Sequence, residues 1–190
     1  MKRLIQTSFI ALVSCAIAST AQAQIVVLGN GAAHDCYIST KSGNSGTADA
    51  IKLCSDALGD ALSKKDRAAT HVNRGVLQMR KGEYAAAKAD YEIALKMKPE
   101  LTEAYINYGA TLLYLNETDA ALTALNTAID DLGADQIPEA LYNRALVHDR
   151  QENFKAAYYD LKRALELRPD WTPAQTAIGR YSVTSRKSGS

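Results

Sequence analysis

Residues 73–99 read NRGVLQMRKGEYAAAKADYEIALKMKP, and residues 143–169 read NRALVHDRQENFKAAYYDLKRALELRP. Set one above the other, Asn73-Arg74-Gly75 falls on Asn143-Arg144-Ala145, and Asn107-Tyr108-Gly109 lies between them, the starts being 34 and 36 residues apart. The same register carries Ala87, Ala121 and Ala157, then bulky Tyr91, Leu125 and Leu161, then Ala94, Ala128 and Ala164. Pro99, Gly133 and Pro169 close the three stretches. One matching column carries no weight; a whole set at one period marks a repeat array.

Within each unit the apolar residues recur at helical steps. Tyr84, Ala87, Tyr91, Ala94 and Leu95 lie three and four apart, on one face of a 3.6-residue helix. Gly82 separates this helix from the one before it, where a chain reversal needs a left-handed residue. Asn116 holds that place in the second unit, while Glu152 followed by Asn153 signals it less clearly in the third. Two helices approach closely only where one side lacks bulk, so Gly75, Gly109 and Ala145 are expected to meet the alanine columns of the partner helix.

These residues resemble the tetratricopeptide repeat family, in which each unit is an antiparallel helix pair. The resemblance implies an all-α fold, a short helical solenoid of three helix-pair repeats at 68–101, 102–135 and 138–171, with Gln136-Ile137 inserted before the third. Departures are His71 in place of a large apolar residue, Gln78 and His148 in place of an aromatic, and Gly133 in place of proline. Solenoid ends need atypical elements with a polar outer side. Residues 172–183, with Pro173 near the start and Ala174, Ala177, Ile178 and Tyr181 on one face, read as a capping helix over Trp171, and 184–190 as a tail. Upstream, 24–67 reads as an arm at 25–31, a degenerate helical unit, and a solvated link at Lys64-Lys65-Asp66-Arg67. That unit comprises a short helix at 32–41, a turn at 43–46, and a second helix carrying Ala50, Leu53, Cys54, Ala57 and Leu58.

The first residues form a separate message. Lys2 and Arg3 precede an apolar run through Leu4, Ile5, Phe9, Ile10, Leu12 and Val13, with no further charge until Asp35, and Ala21-Gln22-Ala23 supplies the small residues of a cleavage site. Residues 1–23 therefore read as a secretory signal peptide with Gln24 as the new terminus. A second reading stands beside it: Leu12-Val13-Ser14-Cys15 fits the pattern after which bacteria lipidate a cysteine, tethering the protein to the envelope at Cys15. An uncleaved span would need about 20 mostly apolar residues, and Gln6, Thr7, Ser8 and Ser14 dilute the run. With the label gone, 20 basic side chains face 21 acidic ones, a near-neutral balance that argues against nucleic acid. Cys36 and Cys54 remain, an even number in an exported chain, hence a candidate disulfide. Two unpaired buried thiols are the alternative.

No catalytic set emerges. His71 and His148 sit at helix-packing places; His34-Asp35-Cys36 is too small a set for a zinc site; Gly29-Asn30-Gly31 lacks the third glycine and flanking unit of a dinucleotide loop. The expectation is a non-catalytic chain with no metal and no cofactor.

What remains is a binding surface, implied by the family resemblance: the first helix of each pair lines a concave groove. The residues this nominates are Val72, Asn73, Val76, Met79 and Arg80; Ile106, Asn107, Ala110, Leu113 and Tyr114; and Tyr142, Asn143, Leu146, Asp149 and Arg150. Ala69, Glu103 and Glu139 stand at the rim of the same faces. Tyr114 and Tyr142 are its expected aromatic anchors for an apolar or amphipathic partner segment. The family's clamp for a terminal carboxylate keeps only Asn107 here, with Val72, Val76, Glu139 and Asn143 at its other places. The expected role is a protein–protein adaptor of the periplasm or cell envelope; the alternative is a lipid-anchored component of an envelope assembly or secretion complex.

Overall fold

The computed structural model describes residues 3–6, 31–42, 47–131 and 137–184. In chain order they form β1 (Arg3–Gln6), α1 (Ala32–Ser42), α2 (Thr47–Leu58), α3 (Lys64–Lys81), α4 (Tyr84–Met97), α5 (Thr102–Tyr114), α6 (Thr118–Asp131), α7 (Ile137–Arg150), α8 (Phe154–Leu167), α9 (Thr172–Ile178) and β2 (Tyr181–Thr184). The fold is the expected all-α helix-pair solenoid, with one addition: β1 and β2 pair antiparallel, Arg3 opposite Thr184 through to Gln6 opposite Tyr181. β1 falls within the stretch read as a signal peptide. Cys15, the arm before Gly31, the turn at 43–46, Gly133, Gln136 and the tail from 185 lie outside the described residues.

The chain divides into two compact units, residues 22–132 and residues 133–190 together with 1–21. In the first unit, α3 begins four residues before the repeat register, so Lys64-Lys65-Asp66-Arg67 is its first turn and not a link. The cause is local. Ser63 caps the helix, its Oγ accepting from the Asp66 amide at 3.1 Å and donating to Asp66 Oδ2 at 2.7 Å. Arg67 then donates to the carbonyls of Leu58 and Asp60 at 2.7 and 2.9 Å, closing the end of α2.

Each of the three repeat pairs turns through the same device. Gly82, Asn116 and Glu152 all take left-handed backbone, with φ of 82°, 63° and 59°. The amide after each reaches back to close the preceding helix: Glu83 to the Gln78 carbonyl at 2.8 Å, Glu117 to Leu112 at 2.9 Å, Asn153 to His148 at 2.8 Å. Glu152, the weakest turn signal in the sequence, adopts the conformation that glycine supplies in the first repeat.

The close approach within a pair involves the bulky column as well as the small ones. A Cβ on Gly75 would lie 2.8 Å from Tyr91 Cε1, and one on Gly109 would lie 2.6 Å from Leu125 Cγ. The nearest atoms of the second helix come from the bulky column, the large ring or isobutyl group filling the space the missing side chain leaves, while in the second unit Ala145 shares a cluster with both Ala157 and Leu161. Tyr91 is fully buried with Val72, Met79, Ala87, Ala94, Leu95, Ala104 and Ala110, and its hydroxyl donates to Met79 Sδ at 3.3 Å.

In the second unit, Tyr142, Ala145, Ala157, Leu161, Ala174, Ala177 and Tyr181 form the core, with Trp171 and Phe154 packed against it. The capping helix stops at Ile178, five residues short of the expected end. Gly179 and Arg180 turn the chain, and the β-favouring Tyr181-Ser182-Val183-Thr184 continues as β2. Tyr181 is held in the core by its hydroxyl, which donates to Asp149 Oδ1 at 2.5 Å.

Candidate functional site

The inner helices are α3 and α5 in the first unit and α7 in the second. Of the residues expected to line a groove, only Tyr114 and Arg150 are exposed; Arg80, Leu146 and Asp149 are half-buried, and the other ten are buried. Val72, Met79 and Ala110 belong to the core around Tyr91. Tyr142 packs against Trp171, ring centroids 5.0 Å apart, and is a core residue of the second unit.

Two of the half-buried members are engaged internally. Arg80 donates from a guanidinium nitrogen to the Thr40 carbonyl at 2.6 Å, joining the end of α3 to the end of α1, and burial lowers its pKa. In the second unit Asp149 accepts from the Tyr181 hydroxyl and lies 3.4 Å from Arg180. In each unit, then, a charged residue at the end of an inner helix fastens a flanking element.

The accessible aromatic of the first unit is Tyr114, 39% exposed at the end of α5. Its ring stacks on that of Tyr84, centroids 4.5 Å apart and planes within 3° of parallel. Behind it, Lys88 on α4 donates to both carboxylate oxygens of Glu117 at 2.8 and 2.6 Å. The Tyr108 hydroxyl donates to Glu92 at 3.0 Å, and burial together with that bond pushes its pKa up to about 12.

The strongest polar feature escaped the sequence reading. Arg74 grips Asp90 through Nε and a terminal nitrogen, both at 2.7 Å, while His71 Nδ1 lies 2.8 Å from Asp90 Oδ1. The second unit repeats it: Arg144 reaches both oxygens of Asp160 at 2.8 Å, with His148 Nε2 at 3.8 Å. The signal was present as a pair of columns. Arg74 and Asp90 recur as Arg144 and Asp160, whereas the middle repeat has Tyr108 and Ala124, losing both together.

Near the start of α7, Glu139 Oε1 accepts from Arg168 at 2.6 Å, and the Arg168 guanidinium lies 5.0 Å from the centre of the Trp171 ring. These groups hold α7, α8 and the start of α9 together. Among the described residues no group of three or more His, Cys, Asp and Glu side chains is placed to hold a metal ion. No described helix is long and apolar enough to cross a membrane. Cys36 and Cys54 lie with sulfurs 2.11 Å and Cα atoms 4.8 Å apart, both fully buried.

Helix pairs turned by left-handed residues, with small-to-bulky contacts inside each pair, define a helical-repeat scaffold. Models of the tetratricopeptide repeat match residues 68–101 and 138–170. The chain's first and third repeat pairs are tetratricopeptide repeats. The chain is 34% identical over 86 residues, 45% of its own length, to the "Lipoprotein NlpI homolog" of Haemophilus influenzae, and the matched stretch spans 27% of that protein. Among solved structures it is similar to MamA, with TM-score 0.65 and 20% identity over 80% of this chain and 83% of that one. It is also similar to the first repeat domain of Spaghetti bound to an HSP90 peptide, with TM-score 0.57 and 19% identity over 61% of this chain and 90% of that one.

Proposed function

We propose that this protein is a non-catalytic adaptor of the bacterial cell envelope that captures a segment of another protein on its inner helices. The observation that carries the reading is Tyr114. An aromatic ring held by stacking on Tyr84 and still 39% exposed suits a binding anchor, because its order is set in advance and part of its surface faces solvent. The peptide-bound repeat domain among the structural neighbours shows that this fold can hold a short segment.

The burial of the inner helices narrows the partner. Because Val72, Val76, Ile106, Leu113 and Tyr142 are covered, the segment meets Tyr114 in the first unit, or Leu146 and Arg150 in the second, and not a continuous apolar trough. The test is affinity capture from the envelope fraction. Tyr114→Ala is expected to lose the partner while far-UV ellipticity is unchanged; undiminished capture removes the site from α5. Tyr142→Ala is unsuited to this experiment, since it opens a hole beside Trp171.

Export and the Cys36–Cys54 disulfide belong to the same proposal: an oxidising compartment is where such a bond persists. The lipid-anchored alternative has one specific support, the relative bearing the name lipoprotein. The mass of the mature N-terminus separates the two, a free Gln24 against an acylated Cys15.

A further inference from the structure

α1 holds itself weakly. It buries only Ala33, Cys36 and Thr40, and its one large aliphatic side chain, Ile38, is 46% exposed. An isolated helix of this length is marginal in water, so it persists only by what attaches it. Three attachments stand out, beside the packing of Cys36 with Ala50 of α2 and Leu77 of α3. Cys36 meets Cys54 of α2; Arg80 of α3 donates to the Thr40 carbonyl at 2.6 Å; and Ala33 packs with Ala57 and Ala69, flanked by Tyr37 and Leu62. The last is a contact of small side chains and the second is one hydrogen bond at a half-exposed site. Of these three, the sulfur–sulfur link is the covalent one.

We propose that α1 is a lid on α3 whose closure is conditional on the Cys36–Cys54 bond. The proposal rests on the bonded state assigned above. A dithiol reductant breaks the S–S bond: two electrons and two protons convert it to two thiols, and the reductant leaves as a disulfide. The linked loop no longer restricts the chain, and α1 separates from α3. Ala69 and Arg80, two inner-face positions of the first repeat, are then uncovered. Both sulfurs are fully buried, so attack by the incoming thiolate waits on a transient opening of the same lid, and reduction and opening proceed together.

The test uses the full exported chain and needs no partner, so it stands apart from the capture experiment on Tyr114. Thiols are first counted in protein unfolded without reductant; none is expected, and two would overturn the proposal by removing its condition. The native protein is then reduced, freed of reductant, and examined by hydrogen exchange and pulsed iodoacetamide. Amides of residues 32–42 are expected to lose protection about 100-fold, and both thiols to react within about tenfold of the unfolded rate, while α3 to α6 keep their protection. Cys36→Ser with Cys54→Ser should reproduce the same pattern, and Arg80→Ala in oxidised protein should leave α1 closed. Unchanged protection of 32–42 after reduction, or its loss together with α3 to α6, overturns the lid.

Discussion

Gly109 and Leu125 occupy one volume: the Cβ that any other residue would place on Gly109 lies 2.6 Å from Leu125 Cγ and 2.9 Å from Cδ2. Leu125 is fully buried. Gly109→Ala is therefore expected to destabilise the first unit by about 1–3 kcal/mol, although alanine is the better helix former. The urea midpoint measures it. Gly109→Ala combined with Leu125→Val should cost less than the sum of the two changes, and additive losses would show that the two residues do not compete for space.

Arg74 and Asp90 supply the second prediction. The Asp90 side chain is 3% exposed, so removing Arg74 leaves a carboxylate in the interior with only His71 beside it. Arg74→Ala should cost about 3 kcal/mol at neutral pH. Burial alone would push the Asp90 pKa up, but hydrogen bonds from Arg74 and His71 outweigh it and hold it below its ordinary value. Its stabilising contribution is thus present above the unfolded carboxyl pKa and lost as pH falls through the lower folded one. The gap between wild type and Arg74→Ala should close in acid, read as urea midpoints from pH 7 down to about 3.

His148 is shifted in the same direction by a different cause. Burial lowers its pKa despite the opposing pull of Asp160, with Arg144 adding to the lowering. The folded state prefers the neutral ring, so stability is full above the unfolded histidine value and declines as pH falls below about 6.5. His148→Gln should remove that decline, and a midpoint in the variant that still falls between pH 7 and 5 with the wild-type slope would assign it to another group.

How far the sequence spoke depended on what repeats. The three helix pairs were legible because Ala87, Ala121 and Ala157, or Tyr91, Leu125 and Leu161, fix a period regardless of detailed packing. The small-to-bulky contact was not legible, because a column shows that a residue recurs, not which column lies nearest to it. The groove was legible only through resemblance, and its openness was not legible at all: Val76 and Ile106 are buried, which a column of residue types does not reveal. Ser63 was readable as a helix cap, since an aspartate follows three residues later, but Lys64-Lys65 drew attention to charge instead. The strand at Tyr181 was missed because its apolar spacing fits a last helical turn, and Gly179 is the stop signal that decides against it.

Glu152 carries the last prediction. Its φ of 59° places an exposed glutamate in left-handed backbone at the turn between α7 and α8, where the first repeat uses Gly82. A side chain there meets the carbonyl that follows, at a cost of about 1–2 kcal/mol, while glycine pays about 0.5–1 kcal/mol in lost chain freedom. Glu152→Gly should therefore raise stability by about 0.5–1 kcal/mol, and Gly82→Glu should lower it by a similar amount. The amide of residue 153 bonds to the His148 carbonyl at 2.8 Å in either case, so helix content stays constant and only the midpoint moves. A drop in stability for Glu152→Gly would show that the glutamate side chain makes contributions at this turn beyond its backbone conformation. Conversely, a rise would show that the third repeat carries strain which the first avoids, with the conformation itself common to both.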